Sequence, residues 1–273
     1  MEFLGTVIKL LDTQIECPKP YGILHLSFFI ISIIAGIWLC LAFKNPNERT
    51  VKKIILIITL SVIALEIYKQ FNYTFTYSDG KINAAYRWFI FPFQFCSMPM
   101  YVGLIASLSK KWLHKAATAF LATYSMFAGI CVMIYPNDIL TTTLGINIQS
   151  LICHGSMISI GIFLLGSGYV KHEHKTMLYA VPVFSTAVGI AMILNEVAVA
   201  TKIIGDQTFN MFFINPHFPP SLPVYSIVQE YVPFPFCVII YILAFSLASY
   251  VILLLAMAIG KIVSKEKAKK IKV

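Results

Sequence analysis

Charge is the scarcest property of this chain. Only 12% of its 273 residues are Asp, Glu, Lys or Arg, against 58% hydrophobic, and the mean hydropathy is +0.79. That balance excludes a soluble domain. Paired cysteines are also missing. The six cysteines are scattered singly with no Cys-x-x-Cys, and Cys40, Cys96, Cys131, Cys153 and Cys237 fall at expected membrane depth. A disulfide framework is therefore not expected, and most of the thiols read as small apolar fillers. No stretch of soluble composition reaches 50 residues, so a single membrane domain takes up residues 1–273. No internal repeat is visible. Residues 1–20 carry Glu2, Asp12 and Glu16 and lack a cleavage site, so no secretory signal is expected.

What is present is a series of apolar windows of about 20 residues, the length a helix needs to cross roughly 30 Å of hydrocarbon. They fall near 24–43, 54–75, 88–108, 116–135, 148–168, 178–200 and 236–260. The expected fold is all-α, a polytopic bundle of seven transmembrane helices. Fifteen of the 21 basic residues lie in the connections 44–53, 109–115 and 169–177 or in the tail from Lys261; the other six are Lys9, Lys19, Lys69, Lys81, Arg87 and Lys202. By the positive-inside rule the N-terminus is outside and the C-terminus cytoplasmic. The net charge of +9 is thus largely a topology signal; the tail would attract anionic headgroups, and nucleic acid is not an expected partner. Lysine outnumbers arginine nineteen to two, which points to an AT-rich bacterial genome and a bacterial cytoplasmic membrane.

Two segments outside the spans have character of their own. Phe3, Leu4, Val7, Ile8, Leu11 and Ile15 recur at helical spacing, which predicts a short interfacial helix with this stripe in lipid. Residues 201–235 form the longest connection, rich in aromatics and broken by prolines at 216, 219, 220, 223, 233 and 235. Such a segment is expected to lie over the mouth of the bundle as a candidate lid.

Candidate chemistry begins at Cys96, in FPFQFCSMP between Pro92 and Pro99. Two prolines within one span should kink it and free carbonyls that lipid cannot satisfy, so Cys96 is expected to face the protein interior. At 1.5 Å per residue Cys96 lies about 12 Å, His154 about 9 Å, Glu66 about 13 Å and Asn195 about 7 Å below the outer ends of their spans. Gln94, Lys69 and Glu196 share that layer, which suggests one polar cavity opening outward. A thiol and an imidazole at one depth are the minimum for nucleophilic catalysis: Cys96 as nucleophile, His154 as base, Gln94 as oxyanion donor and Glu66 or Asn195 orienting the imidazole. The bland readings are that His154 bonds a neighbouring helix with Gly155 allowing close packing, that Glu66 and Lys69 neutralise each other, and that Gln94 and Asn195 are interhelical glue. His172 and His174 in KHEHK lack further ligands for a metal. Neither metal nor cofactor is called for.

The stretches FPFQFCSMPMY, LICHGSM and LNEVAVATKIIGDQTFNMFFINPHFPPSLP followed by VPFPF resemble the YwaF family of bacterial integral membrane proteins, from the second span to the seventh. The most specific part is the Asn210, Pro216, Ser221 arrangement, and Asn210 joins Glu66, Lys69 and Asn195 as a substrate-binding or orienting candidate. That family is similar to an animal multi-pass membrane acyltransferase that builds polyunsaturated ether phospholipids through a proposed cysteine and histidine. By motif those positions are Cys96 and His154. The resemblance implies a membrane lipid acyltransferase or lipid hydrolase whose partners are membrane lipids, a lysophospholipid or an acyl donor. The rival is a non-enzymatic transporter or receptor binding a small solute in the same cavity, which the intramembrane charges Glu66 and Lys69 favour. A retinal protein is disfavoured, because the seventh span has no lysine before Lys261.

Overall fold

The computed structural model describes residues 2–219 and 222–271; Pro220 and Ser221 of the proline-rich segment, and Lys272 and Val273 of the basic tail, lie outside the described residues. The chain is mostly helical. Helix α1 (Glu2–Leu11) precedes α2 (Ile23–Ala42) and α3 (Glu48–Thr74); then come α4 (Met98–Leu108), α5 (Lys111–Phe120), α6 (Met126–Ile134), α7 (Leu144–Gly166), α8 (Lys175–Ala200), α9 (Pro223–Tyr231) and α10 (Phe234–Ile271). A five-residue π turn, Leu121–Ser125, joins α5 to α6 without a break, so Lys111–Ile134 is one membrane-length helix.

Five helices among the described residues are long and apolar enough to cross a membrane: Ile23–Ala42, Lys111–Ile134, Leu144–Gly166, Lys175–Ala200 and Phe234–Ile262. The chain is therefore an integral membrane protein. Of the other two expected spans, α3 has the length, at 27 residues, but carries Glu48, Arg49, Lys52, Lys53, Glu66 and Lys69. Asn47 caps it by accepting from the Thr50 N–H, with Glu48 in the first turn against the positive end of the helix dipole.

The expected span 88–108 requires correction, because it is not one helix. Trp88–Ile90 is a single 3₁₀ turn, the chain turns tightly at Pro92, where the Phe93 N–H donates to the Phe91 carbonyl at 2.7 Å, Phe95–Ser97 is a second 3₁₀ turn, and only α4 is α-helical. At 11 residues, α4 is about 16 Å long, roughly half the hydrocarbon thickness. The prolines account for the difference. Pro99 sits in the first turn of α4, where a missing N–H costs nothing, while Pro92 lies in the non-helical stretch and its carbonyl accepts from the Tyr101 hydroxyl at 2.6 Å.

The helix Lys111–Ile134 and α7 form the centre of the bundle: 67% and 72% of their apolar stretches are buried, against 17% for α2 and 22% for α10. Small residues bring α2 onto α7. A Cβ at Gly155 would collide with Ser32 Oγ, one at Gly36 would come within 2.8 Å of Ile162 Cβ, and Ser159 Oγ donates to the Ser32 carbonyl at 2.7 Å. This is the close-approach, side-chain-to-backbone pairing by which helices associate in lipid, where apolar contact alone gives no preference for protein over solvent.

Beyond the C-terminal end of α3 the chain makes a hairpin that the hydropathy pattern did not predict. Strands β1 (Phe75–Ser78) and β2 (Lys81–Ala84) pair antiparallel around Asp79–Gly80, both with positive φ, 52° and 73°. It receives α1: Gly5 lies against the Tyr77 ring and the Lys9 ammonium over it, 5.2 Å from the centroid. The N-terminal helix forms as expected, but its stripe divides, since Ile8 is buried in protein while Phe3 and Leu4 stay exposed.

Candidate functional site

Cys96 occupies the short 3₁₀ turn ahead of α4, and its side chain is exposed on the protein surface although Ser97, Met98, Pro99 and Met100 after it are buried. His154 lies near the middle of α7 and is buried. Its Nδ1 is 2.7 Å from the Ser150 carbonyl one turn earlier. A carbonyl only accepts, so Nδ1 carries the hydrogen and, in the neutral ring, Nε2 bears the lone pair. No hydrogen-bond partner holds Nε2 among the described residues.

Lys69 lies near both. Its ammonium lies within electrostatic range of Cys96, Cys153 and His154, and Cys96 lies within that range of Cys153. The same ammonium binds Glu66 Oε2 at 2.8 Å, while Glu66 Oε1 accepts from Gln70 Nε2 at 2.7 Å. Gln70 in turn donates to the Ile90 carbonyl and accepts from the Tyr86 hydroxyl. Glu66, Lys69, Cys96 and His154 thus share one neighbourhood, and Glu66 is fastened to the chain that leads into the Cys96 segment rather than to the imidazole. Cys153 is the member that the sequence reading passed over. Gln149 Nε2 donates to its Sγ at 3.3 Å, one helical turn away, and the Gln-x-x-x-Cys-His spacing was available as the signal.

Three other candidates do different work. Asn195 is 1% exposed and clasps Met211, with Nδ2 donating to its carbonyl at 3.1 Å and Oδ1 accepting its N–H at 2.8 Å. Gln94 Nε2 donates to the Asn210 carbonyl and Gln94 Oε1 accepts the Phe212 N–H, at 2.8 and 2.9 Å. Asn210 Oδ1 accepts the Asn215 N–H. Four amide side chains therefore knot residues 209–217, since Asn215 also donates to the Phe209 carbonyl and accepts the His217 N–H. The knot holds Phe212 at φ 58°, fully buried, its ring stacked on Phe95 at 5.8 Å beside Cys96. Part of the expected lid is consequently a packed plug. Glu196, one residue after Asn195, points the other way to an exposed pair with His217 at 3.3 Å.

His172 and His174 have separate partners, the Leu165 carbonyl and the Tyr250 hydroxyl. Two cavities, of about 360 and 400 Å³, lie elsewhere in the bundle and do not open on Cys96. No match was found among curated proteins or among solved structures. The sequence model of the TMEM164 family matches residues 20–255, most of the chain from the start of α2 into α10, and the chain belongs to that family of membrane proteins.

Proposed function

We propose that the chain is a thiol-dependent membrane lipid acyltransferase or lipid hydrolase, with Cys96 as nucleophile and His154 as general base. The observation that carries this reading is the tautomer of His154: the Ser150 carbonyl takes the Nδ1 hydrogen and leaves Nε2 free to accept a proton, in a neighbourhood that Lys69 shares with Cys96. In the reaction Cys96 Sγ adds to the carbonyl of a lipid acyl ester and its proton passes to His154 Nε2. The tetrahedral adduct expels the lysolipid alcohol, which takes that proton, and leaves an acyl thioester on Cys96. Water or the hydroxyl of a lysophospholipid then adds to the thioester, His154 takes its proton, and the thiol is restored. Gln94 keeps a second amide hydrogen for the developing oxyanion while its first holds Asn210, and Asn195 and Asn210 act by positioning the plug.

The reading includes seven membrane passes with the N-terminus outside, α3 and the broken segment ending in α4 completing the five long helices, in a bacterial cytoplasmic membrane. It rests on the fifteen-to-six division of basic residues and on the resemblance to the YwaF proteins.

The test is incubation of purified protein with an acyl-thioester lipid probe, comparing wild type with Cys96→Ala and His154→Ala. Covalent acylation of the wild type that both variants lose is expected. Absence of acylation in folded wild type across several acyl donors would instead favour solute binding or transport, with the Glu66–Lys69 pair as the polar element.

A further inference from the structure

At the opposite end of α4 from Cys96, about 15 Å away by helix length, the start of α3, α5, the loop from α7 to α8 and the first turns of α8 line a cavity of about 360 Å³. Lys111, Lys115, Lys171 and Lys175 line it, with only Glu48 and Glu173 of opposite sign. Glu48 is already bound to Lys52 at 2.6 Å. Neither Glu173 nor any of the four lysines takes part in the ion pairs of the described residues. Lys115 stands over the Tyr179 ring at 4.0 Å, a contact that leaves its charge in place. Four ammonium groups thus converge on a concave site with one unspent carboxylate, and such a site concentrates anions.

The floor of the site is fixed. His114 is 4% exposed and both its ring nitrogens are engaged, Nδ1–H donating to the Ala106 carbonyl and Nε2 accepting from the Tyr169 hydroxyl at 2.6 Å. Burial, with Glu48 nearby, pushes the Tyr169 phenol up to about 12, so it stays a neutral donor. Thr176 Oγ1 holds the Lys171 carbonyl at 2.6 Å. The lysines are therefore carried by ordered backbone rather than by a free loop.

A second cavity, of about 400 Å³, has no lining residue in common with this one but begins at the next positions along α5. It uses the same two helices, α5 through Trp112 and Leu113 and α8 through Pro182 and Ile190, and reaches α4 at Met98 and Ile105. Its lining is apolar apart from the hydroxyls of Tyr101 and Thr186 and the indole N–H of Trp112. A cationic basin beside an apolar groove at one end of a membrane bundle has the two chemistries of a phospholipid, a phosphate and a chain. We infer that the Lys111, Lys115, Lys171, Lys175 cavity binds the phosphate-bearing headgroup of an anionic phospholipid, with one acyl chain laid in the groove between α4, α5 and α8. The site is independent of the Cys96 chemistry.

The full chain in detergent, titrated with phosphatidylglycerol or phosphatidylcholine and read by native mass spectrometry, tests it. The wild type is expected to retain phosphatidylglycerol on the order of tenfold or more above phosphatidylcholine, because lysines near a headgroup favour an anionic one. The variant Lys111→Gln/Lys171→Gln/Lys175→Gln should lose that preference, and Lys202→Gln, at the other end of the bundle, should keep it. Equal retention of the two lipids by the wild type overturns the proposal whatever the variants do. Stabilisation of the wild type by inorganic phosphate without preference for phosphatidylglycerol overturns the lipid as the source of the phosphate.

Discussion

Adjacent residues on α8 show how differently two polar side chains contribute. Asn195 is buried and satisfies both backbone groups of Met211; Glu196 is exposed and meets only His217. Removing a buried partner strands the groups it satisfied, at about 1–3 kcal/mol for each, whereas an exposed ion pair contributes about 0–1 kcal/mol. Asn195→Ala is therefore expected to lower thermal stability by several degrees and Glu196→Ala hardly at all, in melting curves of the purified protein. Equal effects would show that the Met211 clasp is not holding the plug. Because Phe212 stacks on Phe95 next to Cys96, the Asn195 variant should also change the rate at which a thiol reagent reaches Cys96. Gly80 gives a smaller effect. Its φ of 73° in the hairpin turn costs an L-residue about 1–2 kcal/mol, so Gly80→Ala should loosen the hairpin, seen as faster amide exchange in β1 and β2.

Between elements, the decisive contact is α2 on α7. Gly155 leaves no space for a methyl group because Ser32 Oγ stands where it would go. Gly155→Ala should destabilise by roughly 1–3 kcal/mol through overpacking, and Ser32→Ala in the same chain should recover much of that loss, since the Ser32 hydroxyl bonds only its own helix at Phe28. Failure of the second change to rescue the first would mean that the helices separate rather than press on a single atom. The same pair of elements shows what could be read from sequence. The bounds of α2, α7, α8 and the membrane part of α10 follow from apolar length, because lipid forces every backbone group into the helix and the hydrocarbon sets its extent. The segment 88–108 defeats that argument, since length and hydropathy are blind to where two prolines let a helix begin. The hairpin has a local turn signal in Asp79–Gly80, but a short polar link leaves no mark in a hydropathy pattern. Cys96 and His154 stand out in the sequence as reactive or costly side chains within apolar stretches. The true partners of Gln94 and Asn195 were not, since both reach backbone groups of residues 210–212, 16 or more residues away, and amide pairing across such distances leaves no local pattern.

At the scale of the molecule, the open quantity is the direction in which the bundle sits in the membrane. The link between α1 and α2 holds Cys17, exposed and unpaired, and the proposed topology places it outside. The link between α2 and α3 holds Asn45, exposed at the other end of α2 and surrounded by Lys44, Arg49, Lys52 and Lys53, which the same topology places in the cytoplasm. A chain whose only thiol is Cys17 should react with a membrane-impermeant maleimide on intact cells. A chain whose only thiol comes from Asn45→Cys should react only after permeabilisation. Reversal of the two results would put the four-lysine cavity on the outer face and Cys96 toward the cytoplasm. An intermediate result, with both positions labelled in intact cells, would mean that α2 does not cross, which its 20 uninterrupted uncharged residues argue against. The measurement also bears on the chemistry, since an outward Cys96 meets acyl esters of the outer leaflet while the lysine basin faces the leaflet in which anionic headgroups would be recruited by the basic connections around it.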